Sequence, residues 1–210
     1  MASSRMYLGA AVLVLLSGCA ALSIDNLVKQ PPAVIQYYQV DYPPPTVRVA
    51  KPVSGTLMIQ PLRISAEYDR DTLVYRDPQR RAGIYPYDQW FASPAKQLTE
   101  KLMRDFEAAG MFQAVITVGT FQKPDYSLLG SIREIGELRE DDRCFGATVV
   151  SFTFTKASAE STAPMIVFQR EYSERVPCTN DNRVALVAAV STALQNTVSN
   201  LLLDVRAATR

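Results

Sequence analysis

The chain has 210 residues, 48% of them apolar, with 22 basic side chains against 21 acidic ones. That is enough apolar material for one domain with a substantial core, and too even a charge balance for a nucleic-acid binder. Histidine is absent, which excludes histidine general bases, histidine metal ligands and Ser-His-Asp triads.

Arg5 is the only charged residue before Cys19. An apolar run of about eleven residues follows it, from Met6 to Leu16, far short of the roughly 20 needed to span a hydrocarbon core. A positive start, a run of this length and small residues at its end describe a secretory signal. The closing segment, Leu16-Ser17-Gly18-Cys19, resembles the lipobox of bacterial lipoproteins. That resemblance implies cleavage before Cys19, a diacylglyceryl group on its sulfur and acylation of the new amine. An ordinary signal, cut after Ala20 or Ala21, is the competing reading. Two or three acyl chains would hold the protein to a membrane without a transmembrane helix, at about 0.8 kcal/mol per buried CH₂. Ala20, not Asp, follows the cysteine, and by the enterobacterial sorting rule this implies the periplasmic face of the outer membrane. Residues 1–18 are thus expected to be the signal peptide and residues 19–33 a lipidated tether. Residues 34–210 are the expected folded domain. Removing 18 of 210 residues leaves 192 and takes Arg5 away, so 21 basic residues then face 21 acidic ones.

Six of the 13 prolines fall between Pro31 and Pro52, so this region resists compact helix. Val34 to Val40 reads as a short strand within it, and Pro43-Pro44-Pro45 as an extended connection. Thr56 to Ile64 is the next expected strand, with Pro61 marking an edge or an end. Leu73 to Arg76 and Ile84 to Asp88 form a short hairpin around the turn Asp77 to Gly83. This hairpin gathers Tyr75, Arg76, Arg80, Arg81, Tyr85 and Tyr87. Tyrosine and arginine are enriched at interface hot spots, which makes these six the candidate partner contacts; a solvated hairpin is the alternative. Trp90 then pins the start of a helix onto the sheet.

That helix opens at Ser93-Pro94, a good N-cap followed by a proline at the first helical position. Ala95, Leu98, Leu102, Phe106 and Ala109 line one face, and Gly110 ends it. Phe112 to Gly119 and Asp125 to Glu140 read as strands, with Gly130 and Gly136 as bulges or close contacts. Glu137 to Arg143 reads as a solvated turn. Ala147 to Lys156 and Met165 to Val176 alternate as a hairpin flanked by Cys144 and Cys178. Those cysteines are equidistant from position 161, so an unbulged hairpin centred there sets them opposite each other. Paired Cα atoms about 4.5–5.5 Å apart fall within disulfide range. Two free buried thiols are the other possibility. A long helix from about Asp181 to Ala207 closes the chain, capped by Asn180 or Asp181. The expected fold is α/β (α+β): a mixed, largely antiparallel sheet packed by two main α-helices in one domain.

Several segments in this order, behind a lipobox, resemble the ABC-type transport auxiliary lipoprotein family, which includes the Pqi-type lipoprotein. They are Tyr37-Tyr38, Leu57 to Ile64 with Tyr68-Asp69-Arg70, Leu73 to Arg76, Trp90 before the amphipathic helix, and the helix begun by Val184-Ala185-Leu186. The resemblance implies a non-catalytic lipoprotein of an intermembrane lipid transport system. Its implied partners are an MCE-family periplasmic protein and inner-membrane transport components, and its implied role is to dock the conduit at the outer membrane. A ring of identical copies would suit that role, though no residue pattern derives it. No cofactor or metal is expected beyond the covalent lipid on Cys19. Two other readings stay open: a structural or assembly lipoprotein with no transporter, and a secreted enzyme, for which no carboxylate or Ser-Lys spacing stands out.

Overall fold

The computed structural model describes residues 33–79, 81–119, 123–141, 143–158, 162–179 and 182–210. Cys19, the signal segment, nearly all of the tether and Arg80 lie outside the described residues. In chain order the elements are β1 (Gln36–Tyr38), β2 (Val53–Ile59), β3 (Arg63–Ile64), β4 (Thr72–Arg76) and β5 (Ala82–Trp90). They continue with α1 (Pro94–Ala109), β6 (Phe112–Thr117), β7 (Tyr126–Glu140), β8 (Arg143–Lys156), β9 (Met165–Pro177) and α2 (Arg183–Ala208). Ile35 to Arg210 forms one compact unit.

The 15-residue β7 is the spine of a nine-stranded, open, mixed sheet. Along one edge it pairs antiparallel with β8, which pairs antiparallel with β9. Along its other edge it takes β2, β3 and β4 in succession, all parallel. β6 lies outside β2, while β5 and then β1 lie outside β4. The long ladders are the antiparallel ones, so the sheet is antiparallel in most of its paired length.

The expected single strand over Thr56 to Ile64 is in fact β2 and β3 with a break between them. Pro61 has no N–H to give the ladder. Leu62 leaves the sheet and donates its N–H to Thr99 Oγ1 in α1 at 3.0 Å. The pairing resumes when Ser65 N–H reaches the Ile132 carbonyl at 2.9 Å. A second irregularity lies on β5. Leu73 pairs with Tyr85 but Thr72 with Gln89, so Pro86, Tyr87 and Asp88 bulge from the β4–β5 ladder, where a proline costs no hydrogen bond. On β7 the extra residue is Arg133. Gly130 and Gly136 are instead close contacts, against Phe152 and the Val74 carbonyl.

Both helices cover one core. α1 buries Ala95, Leu98, Leu102, Phe106 and Ala109, the face expected from their spacing, each large apolar side chain contributing about 1.5–3 kcal/mol. Gly110 terminates it at φ 63°. Ser93 occupies the N-cap position without a side-chain hydrogen bond. α2 begins later than expected, because Asn182 is its cap and accepts from Ala185 N–H at 2.8 Å. It is long and apolar enough to cross a membrane by composition, but Leu186, Val190, Leu194, Val198, Leu201 and Val205 are buried against the sheet. Gly146 on β8 allows that approach: a Cβ there would stand 2.5 Å from Val190 N.

The proline-rich connection crosses both helices. Val40 and Tyr42 are buried. Off the ladder, their backbone donors need other partners. Val40 N–H reaches Gln97 Oε1 at 2.7 Å and Asp41 N–H reaches Ser191 Oγ at 3.0 Å. Tyr42 Oη donates to Asp105 Oδ2 at 3.1 Å, and Arg104 Nη1 donates to the Tyr42 carbonyl at 3.1 Å. Burial, and then the charge of Asp105, hold the Tyr42 phenol well above its ordinary pKa.

Candidate interaction surface

The β4–β5 hairpin does not present its six candidate residues together. Tyr75 and Tyr85 are neighbours, ring centroids 5.1 Å apart. Arg76, one residue on from Tyr75, bonds Glu134 of β7 instead. Arg81 closes its own turn, with Nε 2.6 Å from Asp77 Oδ2 and its backbone N–H 2.9 Å from Asp77 Oδ1. Tyr87 stands exposed on the β5 bulge. Arg80 is outside the described residues.

What Tyr85 contacts is a buried carboxylate. The Glu137 side chain is 1% exposed. Its Oε1 accepts from Arg139 Nε at 2.7 Å and its Oε2 from Arg183 Nη1 at 2.9 Å. Tyr85 Oη also donates to Oε2. Arg183 lies 3.8 Å over the Tyr85 ring and Arg139 lies 4.7 Å over the Tyr75 ring. A lone buried charge costs several kcal/mol, and paired hydrogen-bonding partners offset that cost. Burial, then the hydrogen bond to Glu137, push the Tyr85 phenol up to about 12. The hydrogen bond to Glu137 also raises the Arg139 guanidinium.

The expected solvated turn at Glu137 to Arg143 is therefore corrected. β7 runs on to Glu140 and β8 resumes at Arg143, so Glu137 is a sheet residue on a buried face. Arg139, Glu137 and Arg183 are the residues that sequence reasoning missed. Acid and base pairs two residues apart in ELRE carry only a faint trace of the first contact, and Arg183 lies 46 positions from Glu137.

Beside this cluster a groove of about 1060 Å³ opens between the β4–β5 turn and the end of β8–β9. Tyr75, Arg81, Arg139 and Arg143 line it, and so do Cys144 and Cys178. The two cysteines form a disulfide with Cα atoms 5.2 Å apart. Phe145 pairs with Pro177 and Phe154 with Phe168, and the ladder shifts by one residue only past Phe154. That register sets position 144 opposite 178, where Cys178 N–H donates to the Cys144 carbonyl at 2.9 Å. The hairpin and the disulfide, separate features of the sequence, thus form two walls of one groove. Among the described residues no group of three or more carboxylate or thiol side chains is arranged to hold a metal ion.

The fold and the groove define a mixed α/β domain whose polar features bind its own elements together and present a surface of paired arginines and carboxylates. A family model described as the ABC-type transport auxiliary lipoprotein component matches residues 38–201. The chain belongs to that family, whose members are lipoprotein components associated with ABC-type transport. No curated protein matches the chain. Among solved structures, protein XCC0632 from Xanthomonas campestris is similar with a TM-score of 0.69 at 20% identity, over 79% of this chain and 91% of that one. The hypothetical protein CT253 from Chlamydia trachomatis is similar with a TM-score of 0.51 at 8% identity, over 74% and 98%. At these identities the likeness is one of fold.

Proposed function

We propose that this chain is a non-catalytic lipoprotein of the outer membrane. It is anchored through lipid on Cys19 and docks the periplasmic conduit of an ABC- or MCE-type system that moves lipid between membranes. The observation that carries the reading is the match of the family to nearly the whole folded domain, behind a segment that resembles a lipobox. The face offered to the MCE-family partner is the groove between the β4–β5 turn and the disulfide. Arg81 and Arg143 are exposed there. Tyr75 and Tyr85 set the shape of the surface, and Arg76 supports the strand from its other side.

The test is purification of the lipidated protein from detergent-solubilised envelopes. The reading expects an MCE-domain protein to come with it. The double charge reversal Arg81→Glu/Arg143→Glu should reduce that recovery at least tenfold. Recovery of no MCE-domain protein with the folded, lipidated wild type would overturn the transport reading. Undiminished recovery with the double variant would overturn the choice of face.

A further inference from the structure

A second groove, of about 600 Å³, lies at the far end of α2. Four cationic residues line it: Arg48 and Lys51 from the proline-rich connection, and Arg206 and Arg210 from the end of α2. No aspartate or glutamate lines it. In a chain with equal numbers of acids and bases after signal removal, this is a local segregation of charge. Nine described arginines pair with carboxylates elsewhere, at positions 76, 81, 104, 133, 139, 143, 170, 175 and 183. None of these four has a carboxylate partner among the described residues.

Arg48 is held in place without being neutralised. Its Nη1 donates to the Pro45 and Val47 carbonyls at 2.8 and 3.0 Å, and both acceptors are neutral. The helix dipole favours a cation in the last turn, which accounts for Arg206 alone. It gives no reason for Arg48 and Lys51, which come from a different segment. The groove also has an apolar wall, in the half-buried Val49 and Val53. Its volume falls in the range of small-molecule sites, roughly 300–1,000 Å³, and is far larger than an inorganic phosphate requires. Cations beside an apolar wall match a ligand that is anionic at one end and hydrocarbon at the other.

We propose that this groove binds the phosphate headgroup of a net-anionic lipid, with its glycerol and upper acyl segment against Val49 and Val53. Arg48, Lys51 and Arg210 are exposed and Arg206 is half-buried, so binding weakens as salt shortens the screening length, about 8 Å at 0.15 M. The site stands on its own lining residues and is independent of any docking to an MCE-family partner.

The experiment is calorimetric titration of the mature lipidated protein in a nonionic detergent. The probes are dihexanoyl phosphatidylglycerol, dihexanoyl phosphatidylcholine and inorganic phosphate. The expected result is saturable binding of the phosphatidylglycerol, with the other two at least tenfold weaker. Lys51→Glu/Arg206→Glu should weaken phosphatidylglycerol binding at least tenfold in protein that remains folded. Should that pair fail to fold, Arg48→Gln/Lys51→Gln, both at exposed positions, serves the same comparison. Lys123→Glu, outside the groove, should bind as wild type does. Equal binding of phosphatidylcholine would remove the role of net charge. Equal binding of phosphate would reduce the site to a simple anion site. Unweakened binding by the folded double variants would place the ligand elsewhere. Each of these three results overturns the proposal.

Discussion

Arg183, in the first turn of α2, places Nη1 2.9 Å from Oε2 of Glu137, a carboxylate buried in β7. This contact joins the last helix to the spine of the sheet at the point where Tyr85 and Arg139 also converge. It makes the sheet and α2 depend on each other through one charge. Glu137→Ala should strand two guanidinium groups, and Arg183→Ala should leave a buried carboxylate short of a partner. Each should cost about 3–5 kcal/mol, read by urea unfolding. The double variant should cost less than the sum of the two. Strict additivity would mean that the two groups do not interact.

The phenol of Tyr85, raised to about 12 by burial and by Glu137, makes a prediction about alkaline pH. The ordinary tyrosine pKa is 10.0. Between these values the unfolded chain has lost the proton and the folded one retains it. Folding stability is therefore fully present below pH 10 and falls as pH rises toward 12. Tyr42 and Tyr172 shift in the same direction, each chiefly through burial, and add to the slope. Tyr85→Phe should flatten the decline between pH 10 and 12, and an unchanged slope would contradict the assignment.

Gly146 tests the closeness of α2 to β8. A Cβ at that position meets helix backbone, not a flexible side chain, so Gly146→Ala must push the helix outward. Overpacking of this kind costs about 1–3 kcal/mol. In a domain of this size, each kcal/mol lowers the thermal midpoint by roughly 2–4 °C. A midpoint equal to that of wild type would show that the helix has room to spare.

The disulfide spans 34 positions, and the chain-entropy model gives such a loop roughly 3–4 kcal/mol. Cys144→Ala/Cys178→Ala should lose about that much in urea unfolding while keeping the β8–β9 hairpin. Because both cysteines line the groove, a larger loss would show that the bond also holds the groove wall in place.

Local features were legible and remote ones were not. The α1 face from Ala95 to Ala109 and the β8–β9 register follow from periodicity and symmetry within one stretch of chain, and both stand in the structure. The break at Leu62 was hidden because its substitute acceptor, Thr99, is on a helix 37 residues away. Glu137 looked like part of a charged turn because the arginine and tyrosine that make its burial tolerable come from α2 and β5. The six hairpin residues looked like one surface because adjacency in sequence hides alternation. Tyr75 faces the groove, whereas Arg76 bonds across the sheet to Glu134.

The most direct test of the account is membrane fractionation of cells carrying wild type or Cys19→Ala. The account predicts wild type in the outer membrane. The variant should be folded, with the Cys144–Cys178 bond formed, in the soluble periplasmic fraction. A variant that remains in the outer membrane and still supports lipid transport would contradict it.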